Sequence, residues 1–236
     1  MARVEKYKQT AVRALIAHND RAFSNSSNKE IDRTKTHLNY KLHPERKGKV
    51  SLVKEDGKLK ARSEPMSDME YYELRKSQLH VHRPADFVAV IGWLITLPKD
   101  TAPQDQERFF SDAYEFLSLR YGGKERENVI NCSVHLDESR PHMHFLCIPA
   151  VANPKKAGGK NEKICAKSIL TKAELTSFHP SLAEHMRSAK INCSVITGET
   201  RGRSRHIGEL KRDTARQAQE RDRERPKGVF THDHDR

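Results

Sequence analysis

The sequence predicts an α+β fold, and three stretches carry that reading. Cys132 to Pro149 places short apolar strands on either side of an acidic, Pro-containing loop, Leu136 to Pro141, which can turn the chain back on itself. Val88 to Leu97, with Gly92-Trp93 at its middle, is the longest apolar run and reads as a buried central strand. Gln106 to Tyr121 spaces Phe109, Phe110, Ala113, Phe116 and Leu117 along one side of an amphipathic helix, which Gly122-Gly123 ends.

The other elements follow in chain order. Val4 to Tyr7 is expected as a short strand. Thr10 to Phe23 is expected as a helix, with Thr10 as its N-cap and Val12, Leu15, Ile16 and Phe23 as its buried stripe. Beside that stripe, Ala11, Ala14, His18 and Ala22 form a strip of small residues, so another chain could approach His18 closely; a histidine on such a helix is ordinarily a surface or capping residue. Ser24 to Asn28 reads as a turn-rich loop, and His37-Leu38-Asn39-Tyr40 as the start of an extended piece. His43 to Pro65 reads as an exposed loop, and Asp68 to Leu79 as a helix with Tyr71 and Leu74 inward.

Ala152 to Lys160 is expected as a flexible basic loop, in which Lys155, Lys156 and Lys160 either track a phosphate backbone or are simply solvated. Thr171 to Phe178 and Ser181 to Lys190 look like two short helices split at Pro180, and Ile191 to Ile196 like a further strand. Arg201, Arg203 and Arg205 form a second basic cluster. Glu209 to Arg225 mixes Arg, Glu and Asp with almost no apolar residue, as in a salt-bridged marginal helix or a disordered tail. Residues 1–207 are therefore expected as one domain and 208–236 as a charged helical or disordered extension.

Composition narrows the function. Of 236 residues, 35% are hydrophobic and 32% charged, which implies a modest core and much solvated surface. A net charge of +12 attracts polyanions, nucleic acid first, although solubility or an anionic membrane surface would also suit it. With no run long and apolar enough to span a bilayer and no signal-peptide core at the first residues, a cytoplasmic location without membrane attachment is expected. Cys132, Cys147, Cys165 and Cys193 form no C-x-x-C pair and read as reduced, buried-strand cysteines rather than a zinc ribbon or disulfide frame.

Chemistry concentrates in the hairpin. Side chains two apart on a strand point the same way, so His142 and His144 aim two imidazoles at one point; His135, just before the loop, would lie beside them on the neighbouring strand. Three imidazoles next to Asp137-Glu138 make a divalent-metal site with room for a substrate oxygen, whereas the plainer reading is a hairpin whose histidines hydrogen-bond within the fold. Histidine ligands alone suggest zinc, but a hard phosphate oxygen suits manganese or magnesium, the ions expected here. His80-Val81-His82 repeats the spacing but has no second histidine strand and runs into Pro84, so it reads as a decoy.

His135, Asp137, Glu138, Pro141, His142 and His144 resemble the H-x-D-E-x-x-P-H-x-H metal motif of the MobV (Mob/Pre) plasmid mobilisation relaxases in the HUH endonuclease superfamily. His18-Asn19-Asp20-Arg21 resembles that family's H-N-x-R block and His37-Leu38-Asn39 its H-L-N block, in the family's order. The resemblance covers about residues 2 to 212; residues 43 to 86 and 152 to 167 follow the family pattern less closely.

It implies a central antiparallel β-sheet flanked by helices, a basic cleft for single-stranded or hairpin DNA, and strand-specific nicking at a plasmid transfer origin with the protein left on the 5′ phosphate. By the same resemblance His135, His142 and His144 hold the metal, His18 is the nucleophile, Glu138 orients or deprotonates it, and Arg21 sits near the scissile phosphate. Asn19, His37, Asn39, Tyr40, Lys155, Lys156, Lys160, Arg201 and Arg203 are the expected DNA contacts. Two other readings stand beside this one: a replication initiator using Tyr7, Tyr40, Tyr71 or Tyr72 as nucleophile, and a non-catalytic DNA-binding module stapled by its metal.

Overall fold

A computed structural model describes residues 2–22, 28, 30–43, 45–46, 48, 50–55 and 58–196. Five strands build one antiparallel sheet: β1 (Ala2–Lys8), β2 (Tyr40–Lys41), β5 (Val88–Thr96), β6 (Val129–His135) and β7 (His142–Cys147), in the spatial order β1-β5-β7-β6-β2. The apolar run of β5 sits one strand in from the edge and β7 at the centre, because both are buried on two faces. A two-residue β2 leaves little open edge on its side.

Alternation decides what each face meets. Ile91, Trp93 and Ile95 of β5, with Met143, Phe145 and Cys147 of β7, point into a core shared with α3 (Gln106–Tyr121) and α5 (Lys172–Ser188). There Trp93 lies between Tyr121 and Phe178, with ring centroids at 5.5 and 3.8 Å. The opposite face, with Val90, Ile130, Leu146 and Ile148, is covered by α1 (Gln9–Asn19) and α2 (Asp68–Ser77) through Val12, Ile16 and Tyr72. His142 and His144 share a face with Leu146, so all three turn toward α1.

Several expectations are corrected. The first helix starts at Gln9 behind Lys8, not at a Thr10 cap, and ends at Asn19 rather than Phe23; Phe23 lies outside the described residues. His37-Leu38 belongs to a short 3-10 turn, and only Tyr40 begins a strand. Within His43 to Pro65, expected as loop, β3 (Val50–Glu55) and β4 (Lys58–Ser63) pair with each other; Asp56-Gly57, a strong hairpin signal, stands between them in the sequence. In α2 the buried ring is Tyr72, while Leu74 is exposed.

The basic loop is framed by a small ladder of β8 (Ala150–Ala152) and β9 (Glu162–Ile164), which α4 (Ala166–Ile169) follows. Pro180 does not split α5. The proline costs about 3 kcal/mol in a helix interior. Phe178, Leu182 and Met186 recur every fourth residue across it, and burying such side chains contributes about 1.5–3 kcal/mol each. Ile191 to Ile196 forms no strand: Ile191 and Val195 are buried, but the backbone bonds to the Met186 carbonyl and the Asp100 carboxylate. Cys132 and Cys147 are buried strand thiols as expected, whereas Cys165 and Cys193 are half-buried and on no strand. Arg201, Arg203, Arg205, the boundary expected at 207 and the charged extension lie outside the described residues.

Phe178→Ala removes the ring stacked on Trp93 and should lower stability by about 3–5 kcal/mol, read as a drop in urea midpoint at unchanged slope. A shift under about 1 kcal/mol would mean that α5 contributes little to this core.

Candidate metal centre and catalytic site

The register of β6 and β7 builds the site. His135 stands directly opposite His142, so the two share a face, and His144 follows on the same face of β7. The three rings meet with centroids 4.9 to 5.2 Å apart. Across from them α1 delivers His18, whose ring is 5.4 Å from that of His144 and 5.9 Å from that of His135. Side-chain ligand atoms within 4.8 Å of one another form two overlapping sets, His18/His135/His144 and His135/Glu138/His142. His135 belongs to both, while His142 and His144, expected to hold the metal together with it, fall in different sets.

Backbone carbonyls fix which nitrogen is left free on two of the rings. The Nε2–H of His135 donates to the Asn19 carbonyl at 2.9 Å, and its Nδ1 is buried with no partner. The Nδ1–H of His142 donates to the Arg140 carbonyl at 2.9 Å, leaving its Nε2 3.1 Å from Nε2 of His144. One orphaned lone pair and two nitrogens aimed at each other form a donor set that fits a divalent cation. Burial pulls His18 and His144 below the ordinary imidazole pKa and His135 to about 3, so all three are neutral at pH 7.

Arg21, expected near the scissile phosphate, is bound to the acidic loop. It follows the end of α1 in a left-handed conformation, φ 53°, which costs an L-residue about 1–2 kcal/mol. Its Nε and Nη2 grip both oxygens of Asp137 at 3.0 and 2.7 Å, and Nη2 reaches Glu138 at 2.6 Å. Burial raises the Asp137 pKa, but hydrogen bonds from Arg21 and Thr36 outweigh it and hold the carboxyl at about 2. The guanidinium therefore clamps the acidic loop, and only its Nη1, buried and without a partner, remains uncommitted.

The two asparagines expected to touch DNA also brace the site. Asn19 is buried, with its carbonyl on His135 and its Nδ2 donating to Asn131 at 2.8 Å. Asn39 Oδ1 accepts from the Leu136 N–H at 2.7 Å, capping the end of β6. His37 is exposed and Tyr40 half-buried at the sheet edge. The Lys160 ammonium donates to the Leu79 carbonyl at 2.9 Å as well as to that of Ser77, tying down the loop; Lys155 and Lys156 stay exposed on it. His80 joins this loop through its backbone, bridged to Lys163, and no described residue makes a metal cluster with it.

Sequence reasoning missed the polar network behind the site. Buried Asp68 takes hydrogen bonds from Arg46 at 2.6 Å, Asn131 at 2.8 Å and Lys41 at 3.1 Å, and Asn131 also donates to Asp20 at 2.9 Å. Through Asn131 and Asn19 this network reaches the carbonyl that holds His135. Its members are scattered through the chain without period, and Asp68 reads in the sequence only as a first-turn helix residue.

Among known proteins, the sequence profile of the Mob_Pre plasmid recombination enzymes matches residues 1–212. The chain belongs to that family. It is 30% identical to a plasmid recombination enzyme of Streptococcus agalactiae over 79% of this chain and 33% of the relative. To a type 3 plasmid recombination enzyme of Staphylococcus aureus it is 29% identical over 90% of this chain and 45% of the relative. The chain thus spans a third to under a half of the curated relatives it matches. Among solved structures, a manganese-bound MobM relaxase domain in complex with plasmid pMV158 oriT DNA aligns with TM-score 0.66 and 24% identity, covering 90% of this chain and 97% of that one. At this identity the likeness establishes the fold: an antiparallel sheet flanked by helices, as the resemblance implied.

Burial raises the Asp68 pKa, but His43, Asn131 and Lys41 outweigh it and hold the carboxyl well below the usual range. A depressed carboxylate stabilises the fold fully above its unfolded pKa, about pH 4, and loses that contribution as pH falls further. Asp68→Asn should therefore lower the urea midpoint at neutral pH and flatten its decline below about pH 4. Parallel curves for the two proteins would dismiss the network as a source of acid sensitivity.

Proposed function

We propose that this chain nicks one DNA strand at a plasmid transfer origin by transesterification, using a divalent metal and His18 as nucleophile. The observation that carries the reading is the convergence of His18 on His135 and His144, all three kept neutral by burial. Family membership and the DNA-bound relaxase fold support the same chemistry. Manganese or magnesium, held by His135, His142 and His144, would supply positive charge to offset that developing on the phosphate oxygens.

The neutral imidazole of His18 offers its lone pair to phosphorus without first losing a proton, as a phenol must. The N–P bond forms as the P–O3′ bond breaks; the imidazole gives up its N–H proton, the departing 3′ oxygen takes up one from solvent, and the products are a free 3′ hydroxyl and the 5′ phosphate on the protein. Resealing reverses both steps, because the phosphoramidate retains the activated bond. Glu138, bonded to Arg21 and clustered with His135 and His142, is suited to orient the imidazoles or take a proton. Tyrosine is a poorer candidate: Tyr71 donates to the Glu127 carbonyl at 2.8 Å, Tyr72 is fully buried, and burial pushes Tyr40 up to about 12.

The direct test incubates the protein with single-stranded origin DNA and manganese and reads cleavage on a denaturing gel. His142→Ala should lower nicking by at least about a hundredfold, while salt-dependent binding, which rests on Lys and Arg contacts to phosphate, is largely kept. Chelation should stop the wild type and added manganese restore it. Undiminished metal-free nicking by the variant would remove the histidines from the reaction.

The adduct identifies the nucleophile. A phosphoramidate on His18 should release its DNA in mild acid and survive alkali, since protonating the bonded nitrogen makes it a better leaving group; a phosphotyrosine should survive the acid. His18→Ala should form no adduct. An adduct on that variant, mapped to Tyr7 or Tyr40, would move the role to a tyrosine.

A further inference from the structure

A recess of about 170 Å³ opens from the catalytic histidines toward the β1 edge of the sheet. The register explains its shape: Arg3, Leu94 and His144 lie in one cross-strand row, and Glu5, Gly92 and Leu146 in the next, all on the α1 face. Leu15, His18 and Asn19 of α1 close it from above, and Tyr7 forms one wall. Gly92 makes room for that wall. A Cβ there would stand 2.8 Å from the Tyr7 ring and 3.0 Å from Leu146, so the ring lies close over bare backbone.

At the mouth, Glu5 is held by two donors. Its Oε2 accepts from the Tyr7 hydroxyl at 2.7 Å and its Oε1 faces Nε of Arg3 at 3.2 Å. Each oxygen keeps acceptor capacity, and both side chains are about four-tenths exposed. The chamber thus joins an apolar, aromatic interior to a charged hydrogen-bonding rim. Its volume is on the order of the ~150 Å³ cavity known to hold one benzene.

We propose that this recess seats one unpaired nucleobase next to the reacting phosphate and prefers guanine. The assignment rests on the nicking reading for what brings DNA there, since His18 and His144 line the recess and the base beside a phosphate held by them falls within its reach. The base preference rests on the rim alone. An ionised carboxylate only accepts, and the Watson–Crick edge of guanine presents two adjacent donors, N1–H and the N2 amine. Thymine flanks its single N–H with carbonyls, and adenine and cytosine each set one amine beside an acceptor nitrogen. Arg3, next to the carboxylate, can donate to guanine O6, and Tyr7 offers the base an aromatic wall.

Binding measured without metal isolates the recess from the chemistry. Fluorescein-labelled oligothymidylate, plain or with one central guanine, inosine, adenine or cytosine, is titrated at a single salt concentration and followed by anisotropy. Guanine should tighten binding by about tenfold over plain oligothymidylate, and inosine, which lacks the N2 amine, should lose most of that gain. Glu5→Gln should collapse the guanine-to-thymine ratio toward one. Gly92→Ala, which drives the Tyr7 ring into the recess, should do the same, with circular dichroism confirming that both variants are folded. A wild-type ratio near one, or a ratio that Glu5→Gln leaves intact, overturns the assignment. Manganese-dependent cutting judges the nicking reading separately: a protein that cuts but ignores guanine loses only the recess, and one that prefers guanine but never cuts loses only the nicking.

Discussion

Everything at the site depends on how the end of α1 is fastened to the β6–β7 hairpin. Arg21 grips Asp137 with two nitrogens, the Asn19 carbonyl takes the Nε2–H of His135, and the Asn19 side chain bonds to Asn131. These contacts join residues more than a hundred positions apart and, with the packing of Val12 and Ile16 on the sheet, bring His18 to the sheet histidines. Asp137 is fully buried and the Arg21 side chain nearly so, so losing either partner strands a charge in the interior at about 3–5 kcal/mol. The same clamp holds Arg21 in its left-handed backbone, a strain that persists only where surrounding contacts over-determine it.

Electrostatics follow from that clamp. Asp137 and Glu138 would each favour protonated imidazoles nearby, yet Arg21 lies against both carboxylates and burial lowers the pKa of His18, His135 and His144. Neutral rings result. An imidazolium would neither ligate a cation nor attack phosphorus.

What the sequence discloses divides along the same line. The sheet histidines are legible because strand period and a turning loop place His135, His142 and His144 together without long-range information. The role of His18 is legible only by resemblance to a family, since helical periodicity puts it on a strip of small residues and nothing local ties that strip to the hairpin. The bracing roles of Asn19, Asn39, Arg21 and Lys160 escape a sequence reading because each depends on a partner distant in the chain. A motif residue expected to contact DNA is as easily scaffold as contact. In α5 the local signal of Pro180 is strong but loses to the burial of Phe178, Leu182 and Met186, a tertiary term no local rule contains.

The site is therefore built from parts of different stiffness. Ladder hydrogen bonds fix the three sheet histidines, and a change elsewhere on the surface moves them little. The position of His18 instead depends on a short helix end and on a chain of side chains running from Asn19 through Asn131 to Asp20, Asp68 and Lys41. On the proposed reading, the nucleophile is the movable part, and His142 and His144 are the fixed part. A misplacement of about 1 Å can cost on the order of a hundredfold in rate. Disturbing Asn131 or Asp68 would then act on the alignment of His18 with the phosphate and, through the Asn19 carbonyl, on the ring of His135, whereas His142, held by the Arg140 carbonyl, stands apart from this network.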